Sequence, residues 1–265
     1  MELLVACDQP KKRKKPNFMT LLAFGYHPVI SILNSPYFHC KKIVIQDKYQ
    51  TDKKLLKLLD EKKIPYQLLN KEDFAKASFP KKNQGIVALL NDYEYISFSD
   101  LLRMGSQKKF PLFVLLDSIE DPHNFGAILR NSAAFEVDGI IIANKNQVSV
   151  TSAVIKVSMG GIAYVPVCQV NSLDETINEL KKRECKIIAT TCEENPTKYE
   201  QLLTLKKNYP LCLIFGNEHA GIRKSLIRKS DYSFYIPVNN NVPSLNVATS
   251  CGIVLALFAN KNNFK

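Results

Sequence analysis

The chain has 265 residues, of which 46% are hydrophobic and 23% are charged, a balance typical of globular proteins. Lys and Arg number 36 against 25 Asp and Glu, and the net charge of +11 favours binding to polyanions such as nucleic acid. The longest apolar runs, at residues 110–116 and 253–259, are too short to span a bilayer, and the N-terminus lacks the pattern of a secretory signal. We therefore expect a cytoplasmic protein that is neither disordered, secreted nor embedded in a membrane.

The seven cysteines are scattered from Cys7 to Cys251, and no two of them form a CxxC pair. An odd number with this spacing indicates neither a disulfide framework nor a zinc site. We expect reduced, mostly buried thiols that have no catalytic role, and no bound metal.

Residues 1–22 contain five consecutive cations, Lys11 to Lys15, between Pro10 and Pro16. Like charges repel one another and leave no apolar face to bury, so this segment is predicted to be a mobile basic arm. Contact with RNA phosphates and a role as a solvated leader are both compatible with it.

Residues 23–92 alternate between helical and strand-like patterns, which predicts a small α/β domain. The predicted helices are at 27–33, 52–63 and 71–77, and the predicted strands are at 41–45, 65–69 and 85–90. The periodicity then weakens, and residues 93–109 are predicted to be a linker.

Residues 110–265 alternate short apolar runs with helical patterns, which predicts a parallel sheet with helices on both faces. The predicted strands are at 113–117, 139–143, 163–167, 186–190, 211–215 and 234–237, and the predicted helices are at 125–135, 150–157, 172–184, 222–229 and 244–258. Ligands of such sheets bind beyond the carboxyl ends of the strands. Three polar blocks of the sequence fall at those positions.

The first block follows the first strand and has Asn124 at an expected helix N-cap and Arg130 as the helix's only charge. Taken alone, Arg130 is most simply an exposed residue that solubilises the helix. The second block contains Gly216, Glu218 and Gly221, whose glycines permit a close backbone approach and a sharp turn. It is neither a GxGxxG fingerprint nor a P-loop, which disfavours the usual NAD and ATP folds.

The third block runs through a loop rich in Asn and Pro to Ser244, which is predicted to cap the last helix. That helix carries an apolar stripe and a second line of small residues that includes Ala248 and Gly252. The small residues would let another helix approach closely, either within the chain or in a second subunit.

Together the blocks resemble the three motifs of the SpoU (TrmH-like) branch of the SPOUT methyltransferases. The matching residues are Asn124…Arg130, Gly216-x-Glu218-x-x-Gly221 and Ile236-Pro237…Ser244-Leu245-Asn246-Val247. This resemblance covers about residues 110–260. Residues 25–29 and 84–86 also resemble that family's RNA substrate-binding domain, and the two-domain layout is most similar to the 23S ribosomal RNA guanosine-2′-O-methyltransferases.

The resemblance implies a SPOUT domain at 110–265 with a deep trefoil knot, an exception to the usual unknotted topology. It also implies S-adenosylmethionine as the cofactor, RNA as the substrate and a homodimer with sites at the subunit interface. Carried over by position, the cofactor-binding residues are Gly216, Ile236 and Leu245, and the catalytic residues are Arg130, Asn124, Glu218, Ser244 and Asn246. Ala248 departs from the family, because many relatives have serine there.

The activity implied is methylation of a ribose 2′-hydroxyl, with a guanosine of 23S rRNA as the leading substrate. The same chemistry on tRNA or on another rRNA nucleotide is an alternative, as is a non-catalytic RNA-binding protein of ribosome assembly. We expect Arg130 to stay charged and to bind the adjacent phosphate through its forked guanidinium. His123 and His219 lie beside the motifs but outside the matched pattern, and they are assigned no role.

Overall fold

The computed structural model describes residues 21–77, 79–191, 204–205, 208–239, 241 and 244–258. The predicted basic arm lies outside these residues, except for Leu21 and Leu22. Those two residues belong to the first strand.

The N-terminal domain is a four-stranded sheet with helices packed on it. Its elements are β1 (Leu21–Phe24), α1 (Tyr26–Leu33), β2 (Cys40–Gln46), α2 (Lys53–Glu61), β3 (Tyr66–Leu69), α3 (Lys71–Lys76) and β4 (Ile86–Leu90). The strand order is β1-β4-β2-β3, in which β2 and β3 are parallel and the other pairs antiparallel. Asp52 and Asn70 cap α2 and α3 by accepting hydrogen bonds from backbone N–H groups.

The segment predicted as a linker, residues 93–109, contains helix α4 (Phe98–Gly105). Ser97 caps this helix, and Leu101 is completely buried against the second domain. The sequence pattern misses α4 because only two turns are present, too few for a helical period to stand out.

The C-terminal domain contains a six-stranded sheet in which every described pair of strands is parallel. Its elements are β5 (Leu112–Asp117), α5 (Pro122–Ala134), β6 (Gly139–Ala143), α6 (Ser152–Ser158), β7 (Val167–Val170), α7 (Leu173–Lys181), β8 (Lys186–Thr190), β9 (Leu211–Gly216), α8 (Lys224–Lys229), β10 (Tyr232–Phe234) and α9 (Val247–Phe258). The order is β10-β8-β9-β5-β6-β7. The connection after β5 leads to β6 on one side and the connection after β9 leads to β10 on the other side, which makes the carboxyl ends of β5 and β9 the switch point where ligands bind in such sheets.

Two predicted strands are displaced in the structure. The one predicted at 163–167 is β7, which begins only after Pro166, because a 3₁₀ turn at Gly161–Ala163 comes first. The one predicted at 234–237 is β10, which lies two residues earlier and pairs with β8 from Tyr232 to Phe234.

Two predicted helix caps are also wrong. Helix α5 begins earlier than predicted, with Asp121 as its cap, so Asn124 lies inside the first turn. Helix α9 begins at Val247, and the side chain of Asn246 rather than Ser244 accepts hydrogen bonds from its first backbone N–H groups.

The two domains pack directly against each other. The backbone N–H of Leu22 in β1 donates to the Ser152 hydroxyl at the start of α6 (2.8 Å), and one apolar core runs through both domains. A second core lies under α4, α7 and α8 on the other face of the large sheet. In the described part of the chain, no helix has the length and apolarity needed to cross a membrane. The trefoil knot stays a prediction.

Five cysteines lie among the described residues, and burial controls their ionisation. Burial raises the pKa of Cys40 to about 11 and the pKa of both Cys168 and Cys185 to about 12. It holds the pKa of Cys212 and Cys251 well above the ordinary range. The prediction of buried thiols is confirmed for Cys168, Cys185, Cys212 and Cys251, whereas Cys40 is half-buried.

This burial predicts slow thiol chemistry in the folded protein. In a Cys7→Ser, Cys192→Ser variant, the five remaining thiols are expected to react with an aromatic disulfide at about pH 8 roughly 100-fold more slowly than in denaturant. Because the unfolded thiols ionise near ~8.5 and the folded ones well above it, stability is unchanged below about pH 8 and falls as the pH rises further. A single rapidly modified thiol in the folded variant would contradict this account.

Candidate functional site

The crevice at the β5–β9 switch point is closed on one side by a tight loop after β9. The Oδ1 atom of Asn217 accepts hydrogen bonds from the backbone N–H groups of His219 (2.9 Å) and Ala220 (3.0 Å), while its Nδ2 donates to the carbonyl of Ser118 (2.7 Å). Asn217 and Gly221 also exchange two backbone hydrogen bonds of 3.0 Å. The loop is therefore held in one conformation and tied to the end of β5.

Gly216 begins this loop and has no room for a side chain. A Cβ at this position would overlap the backbone of Gly221 and Ile222. The close backbone approach predicted for Gly216 is to a ligand, whereas the structure shows an approach of the chain to itself, because the loop folds back onto its own first residue.

A chain of hydrogen bonds joins one residue from each of the three sequence blocks. The buried amide of Asn124 donates from Nδ2 to the Glu218 carboxylate (2.7 Å) and accepts at Oδ1 from Nδ2 of Asn246 (2.9 Å). The Oδ1 of Asn246 in turn accepts from the backbone N–H groups of Ala248 and Thr249 at the start of α9. Three residues predicted to be catalytic are therefore brought together, and they connect the loop after β9 to the beginning of α9.

Arg130 lies on the same helix as Asn124, six residues further along α5. Its backbone is fixed, because a Cβ at Gly161 would lie only 2.9 Å from the Arg130 Cα, so the two backbones pack closely. Its side chain is exposed and forms no ion pair with any described residue. A fixed backbone under a free guanidinium fits a group that binds an anion from solution.

A cavity lies beside this network, between the ends of β8 and β10 and the start of α9. It is lined by Thr190, Thr191, Phe234, Tyr235, Ile236, Val238, Ser244, Leu245 and Ser250. The two predicted cofactor residues Ile236 and Leu245 are thus placed together with Ser244. Gly216 does not line this cavity but lies at the crevice, at the end of β9.

Two further interactions at the site are missed by sequence reasoning. Asp117 ends β5 with only 1% of its surface exposed, and its two oxygens accept from the backbone N–H and the Nε of Arg223, both at 2.8 Å. Asn131 on α5 donates to the carbonyl of Ala248 at 2.9 Å, which fixes α9 against α5. In the sequence, only the position of Asp117 at the carboxyl end of a predicted strand points to the first of these interactions, and no pattern points to the second.

The Asp117–Arg223 pair is expected to stabilise the loop after β9. An Asp117→Ala variant leaves the backbone N–H and guanidinium of Arg223 without their acceptor, which is expected to lower the free energy of unfolding by about 1–3 kcal/mol. Chemical denaturation measures this loss. As a control, Asp100→Ala removes an exposed ion pair to Arg103 and a hydrogen bond from the Ser97 hydroxyl, and it is expected to lower the free energy of unfolding by less than about 1 kcal/mol. Equal losses in the two variants would show that the buried pair has no special role.

The side chains of the two histidines beside the site have no described partner there. His123 and His219 are exposed, and only their backbone N–H groups take part in the local hydrogen bonds. Among the described residues, no group of three or more His, Cys, Asp or Glu side chains is placed to hold a metal ion.

The sequence patterns of two protein families match this chain. The pattern of the SpoU rRNA Methylase family matches residues 111–256, and the pattern for RNA 2′-O ribose methyltransferase substrate binding matches residues 22–96. An uncharacterised tRNA/rRNA methyltransferase of Mycoplasma genitalium is 36% identical over 252 residues, which cover 94% of this chain and all of the relative.

Solved structures with the same fold include an AdoMet-bound rRNA methyltransferase from Sinorhizobium meliloti. It has a TM-score of 0.73 and 23% identity, over 90% of this chain and 86% of the other. The SpoU methyltransferase AviRb from Streptomyces viridochromogenes, in complex with AdoMet, has a TM-score of 0.71 and 20% identity, over 89% and 88% of the two chains. The predicted fold class, a small α/β domain followed by a SPOUT parallel-sheet domain, is confirmed.

Proposed function

The chain belongs to the SpoU rRNA Methylase family of RNA methyltransferases, and we propose that it transfers a methyl group from S-adenosylmethionine to a ribose 2′-hydroxyl of RNA. The observation that carries this proposal is the hydrogen-bonded chain Glu218–Asn124–Asn246, which unites all three motifs at the switch point of the sheet. The exposed Arg130 lies on the same helix as the central residue of that chain.

The residues of the cavity fit the proposed cofactor. Small-molecule sites are mostly apolar, with a few polar groups that fix orientation. Ile236 and Leu245 provide apolar walls, and the hydroxyl groups of Ser244 and Ser250 are available in the lining. When bound, S-adenosylmethionine supplies an electrophilic methyl group on a sulfonium centre. The presence of AdoMet in the Sinorhizobium and Streptomyces structures supports this choice.

Arg130 is proposed to act by electrostatics rather than as a base. A guanidinium stays protonated at neutral pH and presents a planar fork that matches the oxygens of a phosphate. Bound to the phosphate beside the target ribose, it holds the 2′-hydroxyl in place and stabilises the negative charge that develops on the oxygen. Because its backbone is fixed against Gly161, less conformational entropy is lost when the side chain adopts this geometry.

Asn124 and Glu218 are proposed to position the site rather than to touch the reacting atoms. The side chain of Asn124 is already hydrogen-bonded to both Glu218 and Asn246. This network therefore fixes the position at which the loop containing Ser244 and Leu245 meets α9. Ser244 is exposed at the mouth of the cavity, where its hydroxyl can orient a ribose.

The proposed substrate is a guanosine of 23S rRNA, in keeping with the two-domain layout, since a separate domain can grip structured RNA by its shape and phosphates. The name of the Mycoplasma relative includes both tRNA and rRNA, which makes tRNA the second candidate. Labelled methyl transfer to total RNA from cells that lack this protein tests the choice. Label in one guanosine of 23S rRNA is expected, whereas label in tRNA alone would show that tRNA, not 23S rRNA, is the substrate.

We also propose that the protein acts in the cytoplasm as a homodimer. One face of α9 packs inside the chain, where Gly252 contacts Asn131, so the line of small residues serves intrachain packing at this point. Ile253 and Ala256, one and four residues after Gly252, are exposed and are available to a second subunit. Light scattering is expected to give the mass of two chains, and the mass of one chain would contradict this proposal.

A further inference from the structure

The surface at the start of α1 combines aromatic rings with a lysine, and we call Tyr26, His27, Lys48, Tyr49 and Gln84 the tyrosine surface. The rings of Tyr26 and Tyr49 are stacked, with centroids 5.8 Å apart and planes inclined by 21°. The ring of His27 meets the edge of Tyr26 at 5.7 Å, and the Lys48 ammonium lies 5.1 Å from the centre of Tyr49.

Hydrogen bonds hold these side chains in place. The hydroxyl of Tyr49 donates to the carbonyl of Gln84 (3.0 Å), and the side-chain oxygen of Gln84 accepts from the backbone N–H of Tyr26 (2.9 Å). A hydrogen bond to Asp52 engages the Tyr26 hydroxyl and raises the pKa of that tyrosine. The surface is therefore preorganised, which lowers the entropy lost when a ligand binds.

The loop before β4 lies beneath Lys48. A Cβ at Gly85 would come within 3.0 Å of the side chains of Gln46 and Lys48, both of which can move aside, and the φ of 80° at Gly85 favours glycine. Lys82 and Gln84 adopt positive φ angles of 63° and 58°, an uncommon conformation for residues with a side chain. Strain of this kind is often found at binding sites, where the surrounding structure maintains it.

The charge around the tyrosine surface favours an anion. Lys53 and Lys54 follow on α2, and Lys81 and Lys82 precede Gln84 in the loop, all four of them exposed. Of the nearby acids, Asp52 is already engaged as the cap of α2, which leaves Asp47 as an exposed acid in this stretch.

The tyrosine surface is also connected to Arg130 through two close backbone contacts. Two residues after Tyr26, Pro28 approaches Gly160, where an added Cβ would be 3.4 Å from the Pro28 Cα. The next residue, Gly161, packs on the backbone of Arg130. Two close backbone contacts therefore connect the helix that begins at Tyr26 to the helix that carries Arg130.

We propose that the tyrosine surface binds an unpaired nucleotide of the substrate RNA, through its rings to the base and through Lys48 to a phosphate. The ring of His27 is exposed, and the rings of Tyr26 and Tyr49 are half-buried. Accessible aromatic rings beside lysines recognise unstacked bases of single-stranded RNA, whereas paired bases are hidden within the helix. This inference rests on the proposed function, because it takes RNA to be the substrate.

The test compares binding of a short single-stranded RNA, the same RNA as a duplex, and a full 23S rRNA transcript. The wild-type enzyme is expected to prefer the single strand over the duplex. His27→Ala and Tyr49→Leu are expected to weaken single-strand binding by roughly 5- to 100-fold each and to remove this preference. Lys48→Ala is expected to weaken binding to all three RNAs and to lower the slope of log K against log salt by about one unit.

Matched variants separate recognition from folding. Tyr49→Phe loses the bond to Gln84 but keeps the ring, so it is expected to bind as the wild type does. Tyr66→Leu and Lys57→Ala remove an exposed tyrosine and an exposed lysine elsewhere in the same domain and are expected to have no effect. In methyl transfer, the tyrosine-surface variants are expected to raise KM for RNA and to leave kcat and cofactor affinity unchanged.

Equal RNA affinities for the wild type, His27→Ala and Tyr49→Leu would overturn this inference and leave the proposed function intact. Normal binding of bare RNA with impaired binding of ribosomal precursor particles would also overturn it, since the surface would then recognise a protein. RNA binding that depends on the tyrosine surface, without any methyl transfer, would instead count against the proposed function alone.

Discussion

Replacing Arg130 with alanine is expected to reduce kcat for methyl transfer by about 100-fold or more, the effect of removing one preorganised electrostatic contact to a developing oxyanion. The side chain is exposed and free of described ion pairs, so folding and cofactor affinity are expected to be unchanged. Arg130→Lys keeps the charge but loses the fork, and it is expected to recover only a small part of the rate. Single-turnover kinetics with saturating RNA measure both variants.

An exposed arginine away from the site serves as the control. Arg103 on α4 forms a surface pair with Asp100, and Arg103→Ala is expected to leave kcat unchanged. If Arg130→Lys turned over at the wild-type rate, forked binding of a phosphate would be wrong, although a role for the positive charge would survive. If Arg130→Ala did so, Arg130 would have no part in the reaction.

Adding one methyl group at Gly216 is expected to be the most damaging small change in the loop after β9. The new Cβ would overlap the backbone of Gly221 and Ile222, and a backbone cannot move aside as a flexible side chain can. Gly216→Ala is therefore expected to lower the free energy of unfolding by about 3 kcal/mol. We also expect cofactor binding to fall with it, because the loop borders the crevice; calorimetry measures both quantities.

Gly221 provides a matched control five residues later in the same loop. A Cβ there would meet nothing within 4 Å. The substitution is unfavourable only because the φ of 68° is a conformation that L residues adopt with mild strain. Gly221→Ala is expected to lower the free energy of unfolding by about 1–2 kcal/mol. A Gly216→Ala variant as stable as Gly221→Ala would show that the loop relaxes and that the close packing is unimportant.

The family, the two-domain architecture and most elements could be predicted from the sequence, because each rests on local patterns or on motif spacing. The strands predicted at 139–143 and 186–190 coincide with β6 and β8, since short apolar runs that contain adjacent isoleucines favour buried strands. Helix α4 and strand β1 escaped prediction because two turns and four residues carry little periodicity.

The roles of the asparagines could not be predicted, because they depend on contacts distant in the sequence. Asn124 looks like a cap at the local level, yet its partners Glu218 and Asn246 are 94 and 122 residues away. The buried pair of Asp117 with Arg223 spans 106 residues and is equally invisible in a linear pattern. Only the strand order, which places β9 beside β5, brings these residues together.

The chemical position of the transferred methyl group distinguishes transfer to a ribose 2′-hydroxyl from transfer to a base. RNA labelled by the purified enzyme with tritiated S-adenosylmethionine is hydrolysed with alkali, which cleaves after every ribose with a free 2′-hydroxyl. The account predicts that the label is recovered in a dinucleotide resistant to alkali, and that Arg130→Ala removes this product. Label recovered in ordinary mononucleotides would place the methyl group on a base and would contradict 2′-hydroxyl transfer at this site.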